Sequence, residues 1–134
     1  MEVAFRATAA AGSLQSTVEA VAVLPHRWTQ GGVAVDVECS GAHLLHLATA
    51  VCVLNDLYRE AAARGVELAG VRVTAAGGCD EGSWTSTGIT YATDVDAALP
   101  QAELQALLEA VDAVAEIPRA LRAGAPVRRT AHGA

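Results

Sequence analysis

Along the first residues Val3, Phe5 and Ala7 alternate with Ala4 and Arg6, the period of two that a half-buried strand requires. After an Ala-Ala-Gly-Ser turn a second strand-like run covers residues 14–24, and Pro25 ends it. The pair Gly31-Gly32 then opens a third run, in which Val33, Val35 and Val37 share one face and Asp36 and Glu38 the other. Cys39 falls in phase with the valines and is expected to point inward if the strand runs that far. These three segments predict an antiparallel meander joined by short turns.

The period then changes. The stretch GAHLLHLATAVCVLNDLYREAAARG, residues 41–65, reads as one long helix with Ser40 as N-cap and Gly65 just past its C-terminus. Between residues 44 and 54 it is apolar almost all the way round at 100° per residue, so it is predicted to be wrapped on every side. One sheet cannot do this; two sheets, or a sheet and another subunit's helix, can. Two further strands are expected at 67–76 and 84–95, joined by GGCDEG as a hairpin connector. A second helix starts at Pro100 and runs to about residue 115, with Leu104, Leu107, Leu108 and Val111 in one stripe, and Pro118 stops it. Residues 126–130 suggest a last short strand, and the terminal AHGA a frayed tail. The order βββ-α-ββ-α-β gives an α+β fold in one domain, residues 1–134.

Composition adds a second copy of the chain. Hydrophobic residues make up 52% of the 134 and charged ones 18%, more apolar surface than one small core absorbs, which points to a homodimer. The net charge of −6, with no Lys/Arg run, argues against nucleic acid as a partner and against a polybasic membrane anchor. MEVAFRATAAAG has an acid at position 2 and no long apolar core, so no signal peptide is expected. The longest nearly uncharged window, residues 41–55, is too short to span a bilayer. Three cysteines without framework spacing fit a reducing compartment, and the expected location is cytoplasmic.

Cys52 is the residue with chemistry to argue about. On the helix wheel Thr49, Asn55, Asp56 and Arg59 lie within about one quadrant of it, whereas His43 and His46 project elsewhere, about 9 Å or more away along the axis, and neither can be its intrahelical base. The dipole of its own helix has faded three turns in. Burial and Asp56 both disfavour a thiolate, so a reactive Cys52 needs a nearby cation, Arg59 or an arginine from elsewhere. On the residues alone, core packing is the simpler reading.

The stretch SGAHLLHLATAVCVLNDLYREAAARGVELAGVRV resembles the OsmC/Ohr family of osmotically inducible and organic hydroperoxide resistance proteins. Leu44, Leu45, Ala50, Cys52, Leu68, Gly70, Val71 and Val73 carry the likeness to that family's leucine- and alanine-rich cysteine helix and the L-x-G-V-x-V strand that follows it. AVAEIPRALRAGAPV is similar to its A-x-x-C-P-I-S-x-A-L-x-G-x-P-V segment. The resemblance implies an intertwined homodimer whose sheets enclose the cysteine-bearing helices, with Cys52 at the peroxidatic position. It implies a thiol-dependent peroxidase acting on organic hydroperoxides in oxidative stress defence, with no cofactor and no metal. Three positions depart from the pattern. The resolving cysteine falls on Ala115; the family's helix-starting proline and the glutamate after it fall on Gly41 and Ala42; and the N-terminal hairpin lacks the activating arginine, with Arg6 and Arg27 the nearest substitutes. A sulfenic acid on Cys52 would then be cleared by an external thiol, or by Cys39 or Cys79 if either comes close. The alternative is a non-catalytic dimer of the same fold that binds a small apolar ligand.

Other candidates carry less. Cys39, His43 and His46 form a C-x3-H-x2-H cluster that could hold a metal, though the spacing is no standard zinc signature; the simpler reading has the histidines capping the helix or lining a dimer seam. Cys79 reads as a surface thiol in an acidic loop, and Trp28 and Trp84 as core or interface filler, with a share in a ligand pocket as the alternative.

Overall fold

The computed structural model describes residues 1–131, and of the terminal AHGA only Ala131 falls among them. Five strands, β1 (Glu2–Gly12), β2 (Ala22–Leu24), β3 (Val33–Asp36), β4 (Gly70–Asp80) and β5 (Ser86–Asp96), form one antiparallel sheet in the order β2-β3-β1-β4-β5. Three helices accompany it: α1 (Gly41–Ala63), α2 (Gln101–Val114) and α3 (Glu116–Ala123). The mixed α+β class read from the sequence is the class found.

α1 lies across the inner face of β1 and β4, and α2 and α3 pack on its flank. Its ends are set locally. Ser40 Oγ accepts from the His43 amide at 3.1 Å, an N-cap that satisfies one of the first unpaired N–H groups. At the other end Gly65 takes a left-handed φ of 68°, while Val66 N bonds Ala61 O at 2.8 Å and Gly65 N bonds Ala62 O at 3.1 Å. That is a Schellman stop. The core fills the gap between helix and sheet: Val53, Leu54 and Leu57 from α1 meet Ala9, Ala11, Val71 and Val73 from the sheet and Leu107 and Val111 from α2. The strand side chains here are small, so the helix can approach closely.

Several elements depart from the pattern. β1 runs on to Gly12, through alanines that carry no alternation because Ala10 is buried on the outer face as well as Ala9 and Ala11 on the inner. Gly12, with φ 62°, closes the strand where a Cβ would stand 2.2 Å from the Ala69 carbonyl oxygen. The strand expected over 14–24 shrinks to β2, because Gln15–Thr17 turns as a 3-10 helix held by Thr17 Oγ1 donating to Leu14 O at 2.6 Å and Gln15 Nε2 donating to Gly31 O at 2.7 Å. β3 stops at Asp36, so Cys39 is exposed and does not continue the valine face. β4 extends to Asp80 because the small Gly77 and Gly78 let it stay paired with β1, which makes Cys79 a buried strand residue and not a surface loop thiol. Pro118 does not stop the helical region; a backbone break at Ala115 (ψ 122°) does, and a new helix begins at once. Proline is tolerated in that first turn, where its missing N–H has no partner to lose. Residues 126–130 form no strand.

Candidate functional site

α1 is enclosed on two sides only. The sheet and the α2–α3 pair bury His46, Thr49, Ala50, Val53, Leu54, Asp56, Leu57, Tyr58 and Ala61. Opposite them Leu44 and Leu45 remain 47% and 40% exposed, and Leu47, Ala48, Val51, Cys52 and Asn55 are half-buried. Cys52 stands at the border of this open apolar strip, where α1 meets the start of α3.

The Ile117 amide donates to Cys52 Sγ at 3.5 Å. Ile117 is the second residue of α3, so its N–H has no partner within that helix and is free for the sulfur. The positive end of α3 therefore faces the thiol, where the dipole of α1 cannot help. The junction that aims α3 is clamped. Arg122 Nη2 meets Asp112 Oδ1 at 2.8 Å, Arg122 Nη1 donates to the Asp112 carbonyl oxygen at 3.1 Å, and the Tyr91 hydroxyl reaches across from β5 to donate to the same carboxylate. Tyr91 and Arg122 hold the Asp112 carboxyl below the usual carboxylate range, and burial together with Asp112 pushes the Tyr91 phenol well up.

Carboxylates oppose this arrangement. Asp56, one turn beyond Cys52, is 5% exposed and pairs with Arg59 at 3.0 Å. Burial raises its pKa, Arg59 lowers it, and Glu60 and Glu116 raise it again. Arg59 is thus committed to Asp56, with Glu60 at 3.7 Å, and no guanidinium lies within hydrogen-bond reach of Sγ among the described residues. Arg6 projects from the outer face of β1, opposite Phe5 and α1, and Arg27 lies over the Trp28 ring at 5.4 Å. Neither serves as the substitute cation. Against the next turn of α1 packs His26, from the loop between β2 and β3, edge-on to Tyr58 with ring centroids 5.5 Å apart; burial lowers its pKa while the neighbouring Asn55 amide works the other way. His26 Nε2 and Tyr58 Oη are both buried without a partner. The sequence reading passed over His26, whose only signal was its place directly after the strand-ending Pro25.

The remaining candidates separate. His43 shares a hydrogen bond with Ser40 Oγ at 2.6 Å and faces Glu38 at 3.6 Å, so it caps the helix. His46 donates from Nδ1 to the Ala42 carbonyl oxygen at 2.6 Å. Among the described residues no three His, Cys, Asp or Glu side chains are grouped to hold a metal, and Cys39, His43 and His46 do not converge. Ala115 is fully buried two residues before the amide that touches Cys52, and Ala42 lies in the first turn of α1. No helix among the described residues is long and apolar enough to cross a membrane.

The model of the OsmC-like protein family matches residues 34–129. The chain belongs to the OsmC-like family. A crystal structure of an OsmC-like hydroperoxide resistance protein from Jannaschia sp. CCS1 is similar in fold, with a TM-score of 0.61 at 13% identity over 94% of this chain and 91% of that one. No curated protein matches. Membership rests on a span that holds both segments in which the resemblance was read, the Cys52 helix with its following strand and the stretch from Ala113 to Val127.

Proposed function

We propose that this OsmC-like chain is a thiol-dependent peroxidase that reduces organic hydroperoxides at Cys52 and works as a homodimer. The Cys52 thiolate attacks the terminal peroxide oxygen, the O–O bond breaks, and the departing alkoxide takes a proton to leave as the alcohol, with a sulfenic acid left on sulfur. An external thiol then attacks that sulfur, water leaves, and a mixed disulfide forms; a second thiol frees Cys52 and carries away the disulfide. The observation that carries this reading is the Ile117 N–H on a sulfur that is only half-buried. The external reductant follows from Ala115, which has no thiol to offer, and from the exposed Cys39 and buried Cys79, neither of which bonds the Cys52 sulfur. A second copy covering Leu44, Leu45, Ala48 and Val51 would complete the enclosure of α1 and close the site over Cys52. A reducing, cytoplasmic setting fits three free cysteines.

One observation favours a second reading, a dimer of the same fold that only binds an apolar ligand: among the described residues no guanidinium reaches Sγ, and Arg59 is committed to Asp56. The two readings part on turnover. Cumene hydroperoxide with dithiothreitol should be consumed by the wild type and not by Cys52→Ser; equal rates would remove Cys52 from the mechanism and leave the binding reading.

A further inference from the structure

The Ile117 amide, 3.5 Å from Cys52 Sγ, joins two segments 65 residues apart and aims its N–H at the sulfur. When such a nitrogen gives up its proton, the in-plane lone pair left behind lies along the same line. It would then face Sγ directly.

That nitrogen is not tied into its helix. Ile117 is the second residue of α3, Pro118 has no N–H, and the first backbone bond of α3 runs from Arg119 N to the Ala115 carbonyl oxygen at 3.1 Å. An S–N bond is roughly half as long as the present contact, and closing the gap costs α3 no backbone hydrogen bond. The non-helical backbone of Ala115, ψ 122°, is the joint between α2 and α3 about which the first turn of α3 moves. No second thiol competes. Ala115 offers a buried methyl group, Cys39 is exposed, Cys79 is buried in β4, and neither cysteine bonds Sγ.

We propose that oxidised Cys52 closes onto the Ile117 nitrogen as a sulfenamide, a covalent S–N cross-link between α1 and α3. It rests on the peroxidase reading, which supplies the sulfenic acid. The Ile117 nitrogen attacks the sulfenic sulfur, the S–O bond breaks, and the hydroxyl leaves with the amide proton as water. No further oxidant is consumed. The sulfur stays at the sulfenic oxidation level and is withdrawn from a second hydroperoxide, which would carry it to sulfinic acid. An external thiol reverses the step. It attacks the sulfur, the S–N bond breaks, the nitrogen takes the thiol proton, and the resulting mixed disulfide is the one formed in turnover. The cross-link thus protects Cys52 in a chain whose residue 115 carries no thiol.

The test is intact mass spectrometry of the full chain carrying Cys39→Ser and Cys79→Ser, after excess cumene hydroperoxide without reductant. Dimedone is left out, because it captures the sulfenic acid before it closes. The expected product is monomeric, about 2 Da lighter than the reduced chain, and its fragments join Cys52 to Ile117; dithiothreitol returns the starting mass. With no second thiol in the chain, an intramolecular disulfide cannot give that loss. Ile117→Pro in the same background removes the N–H and should yield instead the sulfinic acid, about 32 Da heavier, which dithiothreitol does not reverse. Sulfenic or sulfinic acid without the lighter species, or a disulfide between two copies, overturns the cross-link and leaves the peroxidase reading standing. A chain of unchanged mass overturns both. The lighter species in Ile117→Pro overturns the assignment to this nitrogen, and the fragment spectrum decides alone if that variant does not fold.

Discussion

Asp56 and Arg59 set a field at Cys52 that can be changed one charge at a time. Four residues apart on a helix, the Asp56 carboxylate and the Cys52 sulfur are about 7 Å apart. At an effective dielectric constant of about 20 a bare carboxylate there would cost a thiolate about 2.4 kcal/mol. The Arg59 guanidinium, 3.0 Å from Asp56 Oδ1, cancels most of this. Placed about 10 Å from the sulfur, it leaves a net penalty of about 0.7 kcal/mol, a factor of roughly three. Asp56→Asn removes the whole carboxylate repulsion and leaves Arg59 unopposed, so it should speed iodoacetamide alkylation of Cys52 at pH 7 by more than about tenfold. Arg59→Gln exposes the sulfur to the uncompensated carboxylate and should slow it roughly tenfold, after allowing for solvent screening of the half-exposed arginine. The double variant, with both charges gone, should be about threefold faster than the wild type and slower than Asp56→Asn. Peptide-resolved mass spectrometry separates Cys52 from Cys39 and Cys79. Alkylation slowed by Asp56→Asn, or unchanged by both single substitutions, would refute the electrostatic reasoning.

Ala115→Cys should restore a resolving thiol, since Ala115 is buried two residues from the amide that touches Cys52; treatment with hydroperoxide should then remove two free thiols in a dithionitrobenzoate count, and the loss of none would show the Cβ vectors diverge. Tyr91→Phe removes a hydrogen bond to Asp112 and should cost about 1 kcal/mol in urea unfolding at pH 7. Because the Asp112 carboxyl is held below its ordinary range in the folded state, its contribution is present above that range and lost as pH falls through the lowered value; the Tyr91→Phe deficit should therefore shrink by pH 3, and a constant deficit would contradict the assignment. Leu57→Ala, at a fully buried position on α1, should cost about 3 kcal/mol by the same measurement.

What was legible in the sequence was local. The cap at Ser40, the stop at Gly65 and the apolar stripe of α2 are written in residues close to one another, and each appears where its spacing put it. Strand limits were harder, because Ala9, Ala10 and Ala11 are buried irrespective of face and so hide the period-two signal. α3 was missed because Pro118 reads as a terminator unless the chain has already broken at Ala115. That miss concealed the donor to Cys52, which comes from 65 residues away.

The most direct test of the account is mass spectrometry of the protein after one equivalent of cumene hydroperoxide, with dimedone present and no reductant. The account expects one dimedone adduct, on Cys52, in the wild type and in Cys39→Ser, and none in Cys52→Ser. An unmodified Cys52, or an adduct that persists on another cysteine when Cys52 is replaced, would contradict it.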